Sequence, residues 1–421
     1  MNRRESPLAV STAFTIFTFI LLCATSSAAQ SFTVIYNFGG PPDGANPVAG
    51  VTFDTHGNLY GTTQRGGLLD CLLDGCGTVF QLTPSSGGNW TERVLSLLGG
   101  STGTPSAPVV LDRLGNVYGT LVCTEDCFSG NGGSLFEVVH GSNGSWTTWD
   151  LADYWSDFGG GLCEGCGIAF DQVGKLYGLS ASNHQYQGAV FYLGQLSVRN
   201  WYTIILYSFH GGSDGSVPSV WLTFGANHSI FSTTNSGGAG NAGTVFMVQN
   251  AGGAQWTETQ LYAFLGGSDG ATPYGGVVFD SAGNLYGTTS GGGSANKGTV
   301  FKLTHNSNGT WSESVLYSFQ GGSDAVHPAG PLVFDATGNL YGVASGGSYG
   351  HGAVFKLVPS GSGWTESVLY SFTGGLDGDT PSGGLVLDSS GSLYGTTVHG
   401  GAFATCSDEP YCGGVVYKIT P

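Results

Sequence analysis

Charge is scarce in this chain of 421 residues. Only 9% are Asp, Glu, Lys or Arg, against roughly 25% in ordinary domains, which excludes a surface of helices laced with ion pairs. Basic residues are the scarcest, with 11 Lys and Arg against 28 Asp and Glu and a formal net charge of −17. That balance argues against nucleic acid and anionic lipid as partners. A cation, a neutral glycan or a basic protein surface stays open. Long apolar runs are also missing. Beyond the first 29 residues no stretch of about 18 apolar residues occurs, so the mature chain has no membrane span. No window shows a helical period with caps. Glycine, by contrast, is abundant at 75 residues, while hydrophobic residues still make up 40%. That content excludes a disordered polar tract, and the lack of a Gly at every third position excludes collagen.

The first residues read as a targeting segment. Arg3 and Arg4 precede an apolar stretch from Leu8 to Leu22, and small residues follow to Ala29. Ser27 and Ala29 suit the −3 and −1 positions of a signal peptidase site. Residues 1–29 are therefore expected to be a signal peptide and residues 30–421 the exported protein, secreted or periplasmic. Of 9 cysteines, Cys23 falls in the leader. The others form the close pairs Cys71/Cys76, Cys123/Cys127, Cys163/Cys166 and Cys406/Cys412. An even number in an oxidising destination reads as local disulfides. Only Cys163-Glu-Gly-Cys166 has metal-like spacing, and no second such pair matches it.

Self-similarity decides the fold. An anchor Asp recurs at Asp54, Asp112, Asp171, Asp280, Asp335 and Asp388, with Gly225 in the fourth place, in steps of 58, 59, 54, 55, 55 and 53 residues. Six residues after each anchor stands an aromatic: Tyr60, Tyr118, Tyr177, Phe231, Tyr286, Tyr341 and Tyr394. A second aromatic series follows at Phe80, Phe136, Phe191, Phe246, Phe301, Phe355 and Tyr417. Each copy reads as four short strands. In the fifth copy these are Val277–Asp280, Asn284–Thr288, Thr299–Leu303 and Trp311 to Phe319, with the turn Ser281-Ala-Gly-Asn284 between the first two. Seven such copies predict an all-β, seven-bladed β-propeller of four-stranded antiparallel blades. The start, Phe32-Thr-Val-Ile-Tyr-Asn-Phe38, aligns with a fourth strand, and the end, Val416-Tyr-Lys-Ile-Thr420, with a third. The last blade is thus expected to be closed by the N-terminal strand, which hides two sheet edges. A linear stack would need polar capping copies at its ends, and none is visible.

The words Leu385-Val-Leu-Asp388, Gly283-Asn-Leu-Tyr-Gly287, Gly298-Thr-Val-Phe-Lys-Leu303 and Leu316-Tyr-Ser-Phe319 resemble the GloVer tandem repeats of exported bacterial proteins, the choice-of-anchor tandem repeat GloVer-containing family. The resemblance covers residues 31–421. It implies bacterial origin, export and a repeat architecture. It implies no established activity and supplies no catalytic residues. Members carry varied C-terminal sorting or anchoring signals, whereas here Pro421 directly follows the last strand.

Loops longer than their counterparts are where a site is expected. From the strand-two aromatic to the strand-three aromatic the separations are 20, 18, 14, 15, 15, 14 and 23 residues. The long copies seven, one and two are neighbours in a closed ring, and Cys163/Cys166 enters blade three on the same face. That sector carries Asp70 and Asp74 in copy one, Glu125, Asp126 and Phe128 in copy two, and Glu164 at blade three. Copy seven adds Phe403, Asp408, Glu409 and Tyr411, and Trp155 stands in an irregular stretch beside Asp153 and Asp157. Acid with exposed aromatic suits a glycan or a cation; the same composition also describes a solvated rim stapled for stability.

Other patterns read as structural. Asp43, Asp214, Asp269, Asp324 and Asp377, each four residues before a proline, are expected to cap turns. A Ca²⁺-binding ring of those carboxylates is the alternative, without an Asp-x-Asp-x-Asp-Gly loop to support it. Otherwise no cofactor or metal is expected. The series Trp90, Trp146, Trp201, Trp256, Trp311 and Trp364 is expected to pack between blades. Gly346-Gly-Ser348-Tyr-Gly350 matches a nucleophile-elbow pattern and Gly238-Ala-Gly240-Asn-Ala-Gly243 a dinucleotide pattern, but neither has the helix its chemistry needs. His184, His210, His327, His351 and His399 fall in loops of different blades, without ligand spacing. The expectation is a monomeric, exported, non-enzymatic propeller binding a glycan or another exported protein on the cysteine-bearing face. A carbohydrate-active hydrolase or lyase using paired carboxylates of that face and a purely structural envelope component are the alternatives.

Overall fold

A computed structural model describes residues 30–67, 77–98, 104–122, 134–153, 166–181, 187–197, 200–403 and 413–421. They form a seven-bladed β-propeller, and no α-helix occurs among them. Blade 5 has the regular form: Ala271–Phe279, Leu285–Gly291, Thr299–His305 and Trp311–Ser318 pair in sequence order, all antiparallel. Three inner strands are interrupted. In blade 4, Ser216–Pro218 and Thr223–Phe224 both pair with Ile230–Ser236. The ring closes as the sequence predicts. Ser31–Asn37 is the outer strand of blade 7 and pairs antiparallel with Val415–Thr420, from Ser31 opposite Thr420 to Asn37 opposite Val415.

There is no single core. Apolar side chains gather in seven seams, each built from two adjacent blades. The second aromatic series fills them: Phe80, Phe246, Phe301, Phe355 and Tyr417 are fully buried. The residue ending each regular outer strand packs edge-on against the next blade's ring, as in Phe264–Phe301 and Phe319–Phe355, with centroids 5.0 and 5.1 Å apart. The tryptophan series lies in the seams, Trp201 against Tyr118 and Trp364 against Tyr286, which matches its expected packing role.

Hydroxyl groups hydrogen-bond to carbonyls of the neighbouring blade. Thr52 Oγ1 donates to the Val109 carbonyl, Thr120 to Cys166, Ser219 to Tyr274 and Ser382 to Val48, all at 2.6–2.7 Å. Such bonds use hydroxyl donors and need no charge.

The recurrent Leu-Tyr-Gly has a packing cause. The tip of the strand-three ring abuts the strand-two glycine. A Cβ added at Gly61, Gly119, Gly178, Gly287 or Gly342 would come within 2.1–2.6 Å of that ring. Gly287→Ala must therefore displace Phe301, at a cost of about 1–3 kcal/mol. A lowered thermal midpoint with unchanged circular dichroism at 20 °C is the expected result, and an unchanged midpoint would refute the packing role.

Candidate functional site

The candidate residues on the cysteine-bearing face fall mostly outside the described residues. Asp70, Cys71, Asp74, Cys76, Cys123, Glu125, Asp126, Cys127, Phe128, Trp155, Cys163, Glu164, Cys406, Asp408, Glu409, Tyr411 and Cys412 all do. Two are described. Phe403 is about half exposed and lies against Gly39. Cys166 is buried and opens the inner strand Cys166–Phe170 of blade 3. The loop histidines prove to be held. His327 Nδ1 lies 2.7 Å from the Ser290 carbonyl, His351 Nδ1 3.1 Å from Asp379, and His399 Nδ1 3.1 Å from Asn46; His184 is outside the described residues.

Asp43, Asp214, Asp269, Asp324 and Asp377 do cap turns. Each accepts the N–H of the residue four positions earlier, at 2.6–2.9 Å. Each also accepts the hydroxyl of a tyrosine at the end of the preceding outer strand, Tyr36, Tyr207, Tyr262, Tyr317 and Tyr370 in turn. The tyrosines were not part of the sequence expectation.

On the opposite face the anchor aspartates are locked. Asp280 Oδ1 accepts the N–H groups of Ala282 and Asn284, while Oδ2 accepts Asn284 Nδ2 at 2.7 Å and the Tyr286 hydroxyl at 3.1 Å. Burial raises the Asp280 pKa, but these hydrogen bonds outweigh it and hold the carboxyl below its ordinary range. Lys302 Nζ sits over the Tyr286 ring, 5.3 Å from its centroid, and the Lys–Tyr–Asp set recurs at Lys356–Tyr341–Asp335 and Lys418–Tyr394–Asp388.

Blade 4 lacks the entire set. Gly225 stands for the Asp, Phe231 for the Tyr and Met247 for the Lys. Each replacement removes a charge or a hydroxyl, and together they leave an apolar floor where the other blades are polar. A groove of about 990 Å³ opens there between blades 4 and 5. Phe224, Phe231, Met247, Leu261, Phe279 and Trp311 supply its apolar lining. Gln172, Asn227, Gln249, Thr259, Gln260, Ser281 and Thr310 form a rim of amides and hydroxyls. His305 stacks on Trp311 with centroids 4.6 Å apart. No described lysine or arginine lines the groove, and its carboxylate, Asp280, is already engaged. An apolar floor with a few convergent neutral polar groups is the usual make-up of a ligand seat.

A smaller cavity that shares Gln172 and Phe224 to Asn227 with the groove carries a histidine that the periodic reading missed. In the other six copies the fourth residue of this turn is a glycine with φ between 83° and 89°: Gly57, Gly115, Gly174, Gly283, Gly338 and Gly391. In blade 4 it is His228, with φ 59°, preceded by Asn227 with φ 56°. A left-handed conformation costs a residue with a Cβ about 1–2 kcal/mol. His228 Nδ1 reaches the blade 3 anchor, 2.8 Å from Asp171 Oδ2, and the Asp171 side chain is only 1% exposed. Asp171 Oδ1 accepts the N–H groups of Val173 and Lys175. Lys175 occupies the place where blades 1, 2, 5 and 6 put the Asn that bonds Oδ2, so changes in two blades meet at this pair. The signal was present in the sequence as the break at Gly225.

A family model described as the Gloeobacter/Verrucomicrobia repeat matches residues 164–312 and 254–421. No curated protein sequence matches the chain. Among solved structures it is similar to a Thermus thermophilus protein described as an oxidoreductase (glucose dehydrogenase), at 12% identity over 93% of this chain and 100% of that one, TM-score 0.42. It is also similar to a luciferin-regenerating enzyme, at 12% identity over 93% and 95% of the two chains, TM-score 0.41. A third is a puromycin hydrolase mutant complexed with PGG, at 14% identity over 84% of this chain and 50% of that one, TM-score 0.48. The repeated blades and the family match together place this chain in the Gloeobacter/Verrucomicrobia repeat family.

Proposed function

We propose that this protein is an exported, non-enzymatic propeller that binds a neutral extracellular ligand of the glycan class, seated in the groove between blades 4 and 5. The observation that carries the reading is the joint loss of Asp, Tyr and Lys at Gly225, Phe231 and Met247. A sugar ring has an apolar C–H face and a hydroxylated edge. The first fits Trp311 and the phenylalanine floor, the second the glutamine, threonine and asparagine rim. Charged ligands fit poorly, because the lining offers them no free opposite charge. Export rests on the leader pattern of residues 1–29.

The test is titration calorimetry of residues 30–421, recovered from a bacterial periplasm, against neutral hexasaccharides of β-1,4-glucan, β-1,3-glucan and β-1,4-mannan. At least one should bind. The triple variant Gly225→Asp, Phe231→Tyr, Met247→Lys restores the set that blades 5, 6 and 7 carry, so the fold accommodates it. It should keep the parent's thermal midpoint and lose binding at least tenfold. Silence across the panel, or full binding by the triple variant, would overturn the proposal.

A further inference from the structure

We infer that His228, oriented by Asp171, is a specificity-determining residue of the groove: its Nε2 accepts a hydrogen bond from a ligand hydroxyl at the blade 3 end. The inference deepens the proposed function and rests on it. Four observations lead to it.

The turn does not need a histidine. Six copies build it with glycine, and only in blade 4 does an imidazole occupy a left-handed position that glycine takes without strain. Outliers of this kind persist where the surroundings hold them in place, and here the buried Asp171 does so.

The partner fixes the tautomer. Asp171 Oδ2 lies 2.8 Å from Nδ1, and a carboxylate oxygen accepts, so Nδ1 donates. In the neutral ring Nε2 is then left as an acceptor. Asp171 contacts one edge of the ring, whereas the His228 side chain is 45% exposed, and Nε2 lies on the edge away from the carboxylate.

A space adjoins it. A cavity of about 210 Å³, lined by Asp171, Gln172 and Phe224 to His228, shares Gln172, Phe224, Gly225, Ala226 and Asn227 with the main groove. That is the liquid volume of roughly seven waters, a subsite for one ring or a short branch rather than a chain.

The chemistry is asymmetric. The rim amides and hydroxyls both donate and accept, so they tolerate many neutral ligands. Nε2 of a neutral imidazole whose Nδ1 proton is given to a carboxylate can only accept, and it therefore favours a hydroxyl over an ether or a methyl group at that point.

The experiment compares His228→Gly with the parent on whichever hexasaccharide binds, and on the same oligosaccharide with its hydroxyls O-methylated. Glycine is the residue of the other six turns, so the variant keeps the fold. The parent should prefer the free oligosaccharide, and His228→Gly should weaken that preference about tenfold. Histidine side-chain ¹⁵N spectra supply a readout that a merely structural role would not move. His228 should show the Nδ1–H tautomer, and its Nε2 resonance should shift on saturation with the hexasaccharide. An Nε2–H tautomer, or an unmoved Nε2 resonance with His228→Gly binding within twofold of the parent, overturns this inference. If the triple variant Gly225→Asp, Phe231→Tyr, Met247→Lys still loses binding in that case, the proposed function survives. Silence across the whole panel removes both.

Discussion

Deleting residues 31–38 is expected to abolish cooperative unfolding and to drive the protein into aggregates. The strand Ser31–Asn37 contributes the outer edge of blade 7 and completes two seams. On one side Phe32 stacks on Tyr370 of blade 6 at 3.9 Å and lies 5.7 Å from Tyr417. On the other, Phe38 is fully buried against Phe80 of blade 1, and its N–H donates to the Gly414 carbonyl. Removing the strand exposes the edge of Val415–Thr420, where Val415, Val416, Tyr417 and Ile419 are all fully buried. A long apolar edge of that kind templates intermolecular pairing. The single change Phe38→Ala removes one ring and should cost about 3–5 kcal/mol. A whole domain is stabilised by only about 5–15 kcal/mol, so the full deletion exceeds what the remaining ring tolerates. Size-exclusion chromatography and a urea titration read the result. An unchanged elution volume and midpoint would mean that the ring does not depend on its closure.

The ring was legible from the sequence because its determinants repeat. Tyr60 to Tyr394 and Phe80 to Tyr417 each mark one strand per blade, and a signal present in seven registers survives irregularities in any one of them. The closing strand was legible for the same reason, since Leu369-Tyr-Ser-Phe372 and Ile35-Tyr-Asn-Phe38 are copies of one word. The groove was not, because it is made of departures. Phe231 and Met247 each look like an ordinary apolar residue in a strand. Their meaning appears only when strand pairing sets them beside Gly225 and against Phe279 and Trp311 of the next blade. His228 was missed because its partner, Asp171, belongs to another blade and already had a role in its own turn. Long loops drew attention to the cysteine-bearing face instead, and most of its candidates lie outside the described residues.

The same distance in sequence hid a set of carboxyls that should govern pH stability. Glu92, Glu258, Glu313 and Glu366 sit on outer strands, each facing the capped aspartate of the preceding seam: Asp43, Asp214, Asp269 and Asp324. The Oε1 atom of each is buried without a hydrogen-bond partner. Burial first, and repulsion from that aspartate second, push each pKa from its ordinary 4.5 up to about 7. Where the Glu is absent, so is its charge problem: Ser96 and Thr148 hydrogen-bond at 2.6 Å across the blade 1–2 seam, and Phe32 covers Tyr370 at the blade 6–7 seam.

Because these groups hold protons more tightly when folded, the native state binds more protons than the unfolded chain between pH 4.5 and 7. Stability therefore falls as pH rises through that window and levels off above it. Asp54, Asp280, Asp335, Asp377 and Asp388 work in the opposite sense. Burial raises them, but their hydrogen bonds lower them further, Asp335 to about 2. Their contribution is complete above about pH 4 and is lost only in stronger acid. Maximal stability is thus expected between about pH 4 and 5. Discounted for partial exposure, each Glu contributes about 1 kcal/mol, about 4 for the set, or about 5 °C in thermal midpoint between pH 5 and 8 for a chain of this length. The quadruple variant Glu92→Gln, Glu258→Gln, Glu313→Gln, Glu366→Gln keeps the shape of the protonated side chain and should flatten that slope to within about 1 °C. Glu313→Gln alone should remove about a quarter of it, since the four seams are separate and their effects add. A parent midpoint that stays level or climbs from pH 5 to 8 would show that water reaches these carboxyls and that the seams are not dry.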